Sequence, residues 1–316
     1  MAFEVPGVKA KDKIHNRIGL IDADCVAYWA AAGCDGMLVK AAYKRCDDRM
    51  EAIMDTLQAE VFRNYLTGRN NFREDIATYQ QYKGNRYDKN HNRIKPQPEH
   101  LQAVRQYLLD KYDAILCEGQ EADDALAIAQ IKCNASQDWH SIISSIDKDL
   151  RIIPGLHHDM NSNYIEEVDE LGYLSVDKKN KVRGAGLKFF AAQLLMGDNA
   201  DWIPGLPKVT TWIKEKYGLL RKGGCGPKSA FGIIDPCRSW DECLFAVLEC
   251  YASYWNGERF YDNWRTGERT YPDPVSMLVE QGRLLWMRRT EGELWVPDPD
   301  VVERWTLESE VLNAGS

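Results

Sequence analysis

The sequence predicts an α/β protein with a central, mostly parallel sheet flanked by helices. Three short apolar runs carry that expectation: Arg17–Ile21 (RIGLI), Asp113–Cys117 (DAILC) and His140–Ile146 (HSIISSI). Each has the length of a buried strand, is followed closely by acidic residues, and precedes a segment of small or helically spaced residues. With 316 residues, 44% of them hydrophobic, the chain can bury a sizeable core, either as one large domain or as two closely joined lobes.

Taken in order, RIGLI reads as the first strand, and Asp22-Ala-Asp-Cys with AYWAAA as a turn into a packed segment. A helical pattern runs from about Val39 toward Leu66, with Val61–Leu66 open to a second strand. Residues 72–98 (FREDIATYQQYKGNRYDKNHNRIKPQP) are polar, aromatic and basic, and too long for an ordinary connection. A helix over Pro98–Tyr112 leads into DAILC, and Glu118-Gly-Gln-Glu-Ala-Asp-Asp opens the next helix. After HSIISSI, residues 168–188 suggest a pair of short strands with a lysine-rich tip. A helix over Lys188–Met196 then runs into GDNADWIPGLP. Helices are expected at 209–220, 227–234, 238–255 and 273–289, with a terminal strand near Leu294.

Composition narrows the function classes. The absence of an 18-residue apolar run and the polar start MAFEVPGVKAKDK predict a soluble, cytoplasmic protein with no membrane partner. Nine scattered cysteines without a C-x-x-C pair read as reduced thiols rather than a disulfide framework or zinc site. His157 and His158 follow a Pro-Gly turn and do not alter that. A net charge of −8 argues against nucleic acid until its distribution is considered. If eight of the 48 acids form a metal site, 40 remain against 40 Lys and Arg, and a local basic surface is possible.

The acids follow strands. Ligands of open parallel sheets bind outside the carboxyl ends of the strands, which is where Asp22, then Glu121, Asp123 and Asp124, then Asp147 and Asp149 fall. Asp198 and Asp201, just past a helix, can close the cluster. Like charges so crowded raise one another's pKa, and divalent cations compensate. Oxygen-only donors select Mg²⁺ or Mn²⁺, and so many carboxylates suit two ions, the arrangement that serves phosphodiester hydrolysis.

E-A-D-D after one strand, S-x-D-K-D after the next, and M-G-D-x-x-D before a helix–hairpin–helix together resemble the flap endonuclease and 5′→3′ exonuclease family. Within this PIN-like 5′ nuclease family, the stand-alone bacteriophage-type exonucleases are the most similar, over roughly residues 17–234. The resemblance implies a core over 1–190, including a helical arch at 72–112, and a helix–hairpin–helix lobe with C-terminal helices over 191–316. It assigns Asp22, Glu121 and Asp123 to a first metal site, with Asp124 near it through water. Asp147, Asp149, Asp198 and Asp201 would make the second. Leu66-Thr67-Gly68 stands where the family often has a further aspartate, so one ligand is missing or replaced by Thr67 or water.

Arg73, Lys83 and Arg86 interleave with Tyr79, Tyr82 and Tyr87, a pattern suited to single strands. The resemblance brings Lys83 and Arg86 near the scissile phosphate and assigns Arg73 and Tyr82 to nucleic-acid contact, with Lys89, Arg93 and Lys95 less involved. A second basic excess comprises Lys208, Lys214, Lys216, Arg221, Lys222 and Lys228. There Gly224, Gly226, Lys208 and Lys228 would hold duplex backbone, with K⁺ a possible ion of the hairpin. The implied activity is Mg²⁺-dependent cleavage of DNA with a free 5′ end, flap or junction, with RNA in hybrids open, leaving 5′ phosphates. Two rivals remain at this point. LIDADCV also fits a haloacid-dehalogenase-like phosphatase with Asp22 as nucleophile and Asp24 as general acid, and a non-catalytic structure-specific DNA-binding protein is the other. The tryptophans Trp240, Trp255, Trp286 and Trp295, with Cys243 and Cys250, read as core.

Overall fold

The computed structural model describes residues 13–136, 138–178, 181–219 and 225–314, with the side chains of 309–314 excepted. They form two compact units: one of residues to Phe72, Asn92–Asp169 and Met287–Glu293, the other of Arg73–His91, Glu170–Trp286 and Leu294 onward. Residues 73–91, grouped by sequence with the core, thus belong to the second unit.

The first unit is a six-stranded sheet. β1 (Arg17–Asp22) ends in four consecutive buried residues, as expected of a strand covered on both faces. It leads through α1 (Ala23–Ala31) to α2 (Val39–Leu57), whose buried Ala42, Cys46, Met50, Ile53 and Leu57 recur every three or four residues. Gln58 then takes a left-handed conformation (φ 50°) that stops the helix, and β2 (Val61–Thr67) follows. The open boundary between 57 and 66 is therefore resolved as helix, turn and strand.

The short α3 (Phe72–Ile76) begins the long polar segment, and α4 (Leu101–Tyr112) ends it. Next come β3 (Ile115–Cys117), α5 (Ala122–Ala135), β4 (His140–Ser145), β5 (Gly155–Asp159) and β6 (Tyr164–Val168). The sheet order is β3-β2-β1-β4-β5-β6, parallel except for β6 against β5. Order reverses at β1, so the crevice outside β1 and β4 is a topological switch point. The sequence missed β5 and β6, whose polar GLHHD and YIEEV carry no apolar alternation. His157 and His158 of β5 are buried, and burial lowers the pKa of His157 to about 4.

In the second unit β7 (Tyr173–Val176) and β8 (Val182–Ala185) pair as a hairpin before α6 (Gly186–Met196). α6 is buried almost all round and is the unit's central helix. β9 (Gly197–Asp198) and β10 (Ile203–Pro204) pair directly after it. α7 (Thr211–Lys216) is shorter than the expected 209–220, and α8 (Pro227–Ile234) and α9 (Trp240–Tyr254) follow. β11 (Tyr261–Asp262) pairs with β12 (Arg269–Thr270), ahead of α10 (Pro274–Leu285) and α11 (Pro299–Ala314).

The expected strand near Leu294 is absent among the described residues. α11, which begins with Pro299 at a position where its missing N–H costs nothing, was not anticipated. Trp286 and Trp295 pack edge-on against Phe190, Trp255 is 2% exposed, and Cys243 and Cys250 are buried, all in keeping with a core role. No described helix is long and apolar enough to cross a membrane.

Candidate active site

At the end of β1, Asp22 is 3% exposed. It caps α1 by accepting the Cys25 N–H at 3.1 Å, and its other oxygen accepts the Cys25 thiol at 2.8 Å and the Ser145 hydroxyl at 2.7 Å. Burial and the adjacent Asp22 charge push the Cys25 thiol far up, so it remains a donor. Ser145, the last residue of β4, also accepts the Asp147 N–H at 2.9 Å. One hydroxyl thus couples the acids at two neighbouring strand ends, and Asp147 in turn accepts the Asp149 N–H at 2.9 Å. Lys148 Nζ lies 2.7 Å from Asp149.

Glu121 caps α5 in a reciprocal box with Asp124. Asp124 is fully buried, and its oxygens accept the backbone N–H groups of Glu121 and Arg288 at 3.3 and 3.1 Å. Asp124, expected near the first metal through water, fixes the start of α5 by these bonds. The segment that supplies Arg288 returns from 164 positions away, and its guanidinium lies 3.6 Å above the Phe72 ring. Asp123 is half-buried on the same first turn. Glu118, outside the motif, accepts the Arg69 N–H.

Thr67 is committed on every side. Its hydroxyl accepts the Ala122 N–H at 3.0 Å, its own N–H donates to Asp24 at 2.7 Å, and its carbonyl accepts from Arg105. Arg105 is also ion-paired with Asp24. Where a carboxylate was expected, the chain has a lock joining β2, α1, α4 and α5. Asp24, held as an acceptor, is unsuited to the mobile proton that the phosphatase reading requires.

The second unit holds the remaining predicted residues. Gly197 (φ 70°) and Gly205 lie so close that a Cβ on either would meet the other's backbone N at 2.3 and 2.6 Å. Only glycine allows that approach, and it sets Asp198, 5% exposed, at the β9 end. Asp201 binds the Y-K-G-N-R turn: it accepts from Tyr82 Oη at 2.9 Å and Arg86 at 2.9 Å, lies 3.5 Å from Lys83 Nζ, and its carbonyl takes the Lys83 N–H at 2.8 Å. Lys83 itself is left-handed (φ 54°), a conformation that costs a non-glycine residue about 1 kcal/mol or more.

Two expectations on this segment are corrected. Arg73 is fully buried, with its guanidinium donating to the carbonyls of Leu284 and Trp286, so it braces the fold rather than meeting phosphate. Tyr82 is 6% exposed and offers no ring face for stacking. Lys208 and Gly226 are exposed, Gly226 caps α8, and Lys228 lies in its first turn. Lys216 is ion-paired with Glu249. Gly224, with Arg221 and Lys222, lies outside the described residues.

No known protein family matches this sequence, and no curated protein does. Among solved structures, T5 5′-exonuclease with bound divalent zinc ions is similar over 92% of this chain and 97% of that one, at 16% identity and a TM-score of 0.54. The fold is that of a 5′ nuclease. A bacteriophage T5 D15 flap endonuclease, in a pseudo-enzyme-product complex with DNA and metal ions, matches over the same shares at 14% identity, but its TM-score of 0.46 is too low to argue from.

Within this 5′ nuclease fold the carboxyl ends of β1 and β4 carry Asp22, Asp147 and Asp149, and α5, entered from β3, carries Glu121 and Asp123. β3 is separated from β1 by β2, and Glu121 and Asp123 stand at the start of α5 rather than at a strand end. Among the described residues no three His, Cys, Asp or Glu side chains are already gathered as an ion cage. The donors are carboxylate oxygens at a switch point, several buried, and that donor set fits a hard divalent ion. Sequence reasoning missed Arg105 and Arg288, and it quoted Ser145 as the first residue of S-x-D-K-D without giving it a role.

Proposed function

We propose that the protein is a structure-dependent 5′→3′ exonuclease and flap endonuclease, hydrolysing DNA phosphodiesters with the help of divalent ions. One observation carries this reading: Asp22, Asp147 and Asp149 stand at or just after the carboxyl ends of β1 and β4, the switch point of a fold shared with T5 5′-exonuclease. Asp22, Glu121 and Asp123 would hold one Mg²⁺ or Mn²⁺ ion, and Asp147 and Asp149 would contribute to a second. Such ions would supply Lewis acidity toward the phosphodiester and offset repulsion among the acids.

The chain's own residues have distinct tasks. Ser145 orients Asp22 and Asp147 together, and the Glu121–Asp124 box fixes the first turn of α5. Thr67, joined to Asp24 and Arg105, adds no carboxylate and ties the α5 start to β2. Lys83 and Arg86 would meet charge on the phosphoryl oxygens, in exchange for their bonds to Asp201. Cleavage of the P–O3′ bond leaves a 5′ phosphate on the product. Lys208 and the Gly226–Lys228 start of α8 would grip duplex backbone through charge and free N–H groups, with K⁺ a candidate ion there. The natural partner is DNA with a free 5′ end, flap or junction.

A panel of 5′-flap, blunt duplex and RNA–DNA hybrid substrates, assayed with Mg²⁺ and with EDTA, tests the reading. Cleavage of the 5′-ended DNA in Mg²⁺ alone is expected. Binding without Mg²⁺-dependent turnover would instead identify a non-catalytic DNA-binding protein.

A further inference from the structure

The stretch between α3 and the short turn Gly84–Arg86 has no helix or sheet of its own to satisfy its backbone, yet Ala77 is buried. Buried backbone groups must find partners somewhere, and here the partners come from two distant places in the same unit. The Ala77 carbonyl accepts from Trp264 Nε1 at 2.9 Å and Arg265 Nε at 3.1 Å. The Thr78 carbonyl accepts the Trp264 N–H at 3.2 Å. From α10, one oxygen of Glu280 accepts the N–H groups of Thr78 and Tyr79 at 2.9 and 2.8 Å, and the other accepts the Thr78 hydroxyl. That hydroxyl also lies 2.8 Å from Tyr261 Oη, and the Tyr79 ring packs on Tyr261 and Trp255.

We propose that Glu280 and the β11–β12 hairpin form a clamp on residues 77–79 that positions Lys83 and Arg86 for the reaction. This inference rests on the nuclease reading. Only Gln80, Gln81 and Tyr82 separate the clamp from Lys83, so a displacement at Tyr79 is carried into the cationic turn. The far side of that turn is already tied down: Gln80 donates to the Trp202 carbonyl at 2.7 Å, Asn85 to that of Asn199 at 2.9 Å, and Lys83 and Arg86 hold Asp201. The turn is therefore suspended between two fixed points. When Lys83 and Arg86 leave Asp201 for phosphate, the clamp still holds the N-terminal side of the turn, while Gln80 and Asn85 hold the other. Glu280, Thr78 and Trp264 are positioning residues; none needs to touch DNA.

The chemistry of the clamp gives it a specific signature. Glu280→Ala removes the acceptor for two backbone N–H groups, whereas Glu280→Gln keeps a carbonyl oxygen for both and offers the Thr78 hydroxyl an N–H. In the full chain, Glu280→Ala should slow single-turnover cleavage of a 5′-flap DNA by ~10- to 100-fold, the scale of a misplaced catalytic group. Affinity for the same DNA in EDTA should stay within about twofold, because a lost positioning interaction acts on the chemical step. Glu280→Gln should restore most of the rate, and Thr78→Val should fall between. Amide hydrogen exchange should speed up at Thr78–Lys83 in Glu280→Ala and not across α6 or α9.

Parent-like cleavage by Glu280→Ala overturns the clamp, as does equal loss in Glu280→Ala and Glu280→Gln. Loss of protection throughout the unit also overturns it, since that is general destabilisation. If the parent itself cuts nothing, the nuclease reading fails. The clamp is then judged by exchange alone, and unchanged exchange at Thr78–Lys83 refutes it.

Discussion

The acids of the first unit and the cations of the second are built on opposite plans. Asp22 ends a buried parallel strand, where the register of the sheet fixes its backbone, and Asp147 lies two residues past β4, where the Ser145 hydroxyl holds its N–H. Lys83 and Arg86 sit on an irregular segment held by scattered bonds to Glu280, Trp264, Trp202, Asn199 and Asp201. Rigidity in the first case comes from the sheet, and in the second it is assembled from residues far away in sequence. The two groups of residues therefore break in different ways, and substitutions can tell them apart.

The largest effect should follow loss of a strand-end acid. Asp147→Ala is expected to cut Mg²⁺-dependent cleavage by about 10³-fold or more, consistent with losing transition-state electrostatics in a preorganised site, with the fold unchanged by circular dichroism. Near-normal cleavage would remove Asp147 from the site. On the loop side, Lys83→Ala should lower single-turnover rate by ~10²- to 10³-fold, the range for one charge-stabilising donor. Because it also frees Asp201, its DNA affinity is a separate measurement; a change in affinity alone would make Lys83 a binding group only.

The sheet side can be probed by acid. His157 is buried and its pKa lies near 4, below the ordinary 6.5, so the unfolded chain takes up a proton first as pH falls. The stabilisation is complete above pH 6.5 and is lost as pH falls from there toward 4, reaching about 3 kcal/mol in all. Denaturant unfolding of His157→Gln should show a shallower pH dependence across that window; an unaltered slope would assign the loss to other groups. The smallest effect should come from Ser145→Ala. Losing the bonds to the Asp22 carboxylate and the Asp147 N–H should cost about tenfold in rate, on the order of one hydrogen bond to a charged group. Parent-like activity would make the Ser145 bridge incidental.

How much could be read from the sequence follows the same division. Acids after RIGLI, DAILC and HSIISSI were legible because a strand and its terminating residue are local, and α5's capping box lies within four positions. The sheet's extension by β5 and β6 was not, because their polar residues are stabilised by pairing rather than by pattern. Arg73 was misread for a related reason. Its neighbours Glu74, Asp75 and Lys83 suggest a solvated face, and only the carbonyls of Leu284 and Trp286, more than 200 positions on, draw it inside. Thr67 looked like the absence of an acid, and only Asp24, Arg105 and Ala122 together show what it does instead. Glu280 had no local signal at all.

Metal-dependent hydrolysis at the strand-end acids is tested most directly by a single comparison. Single-turnover cleavage of a 5′-flap DNA by the parent and by Asp147→Ala, with Mg²⁺ and with EDTA, should give 5′-phosphorylated products from the parent in Mg²⁺ only. Cleavage by the parent in EDTA, or equal cleavage by parent and variant in Mg²⁺, would contradict it.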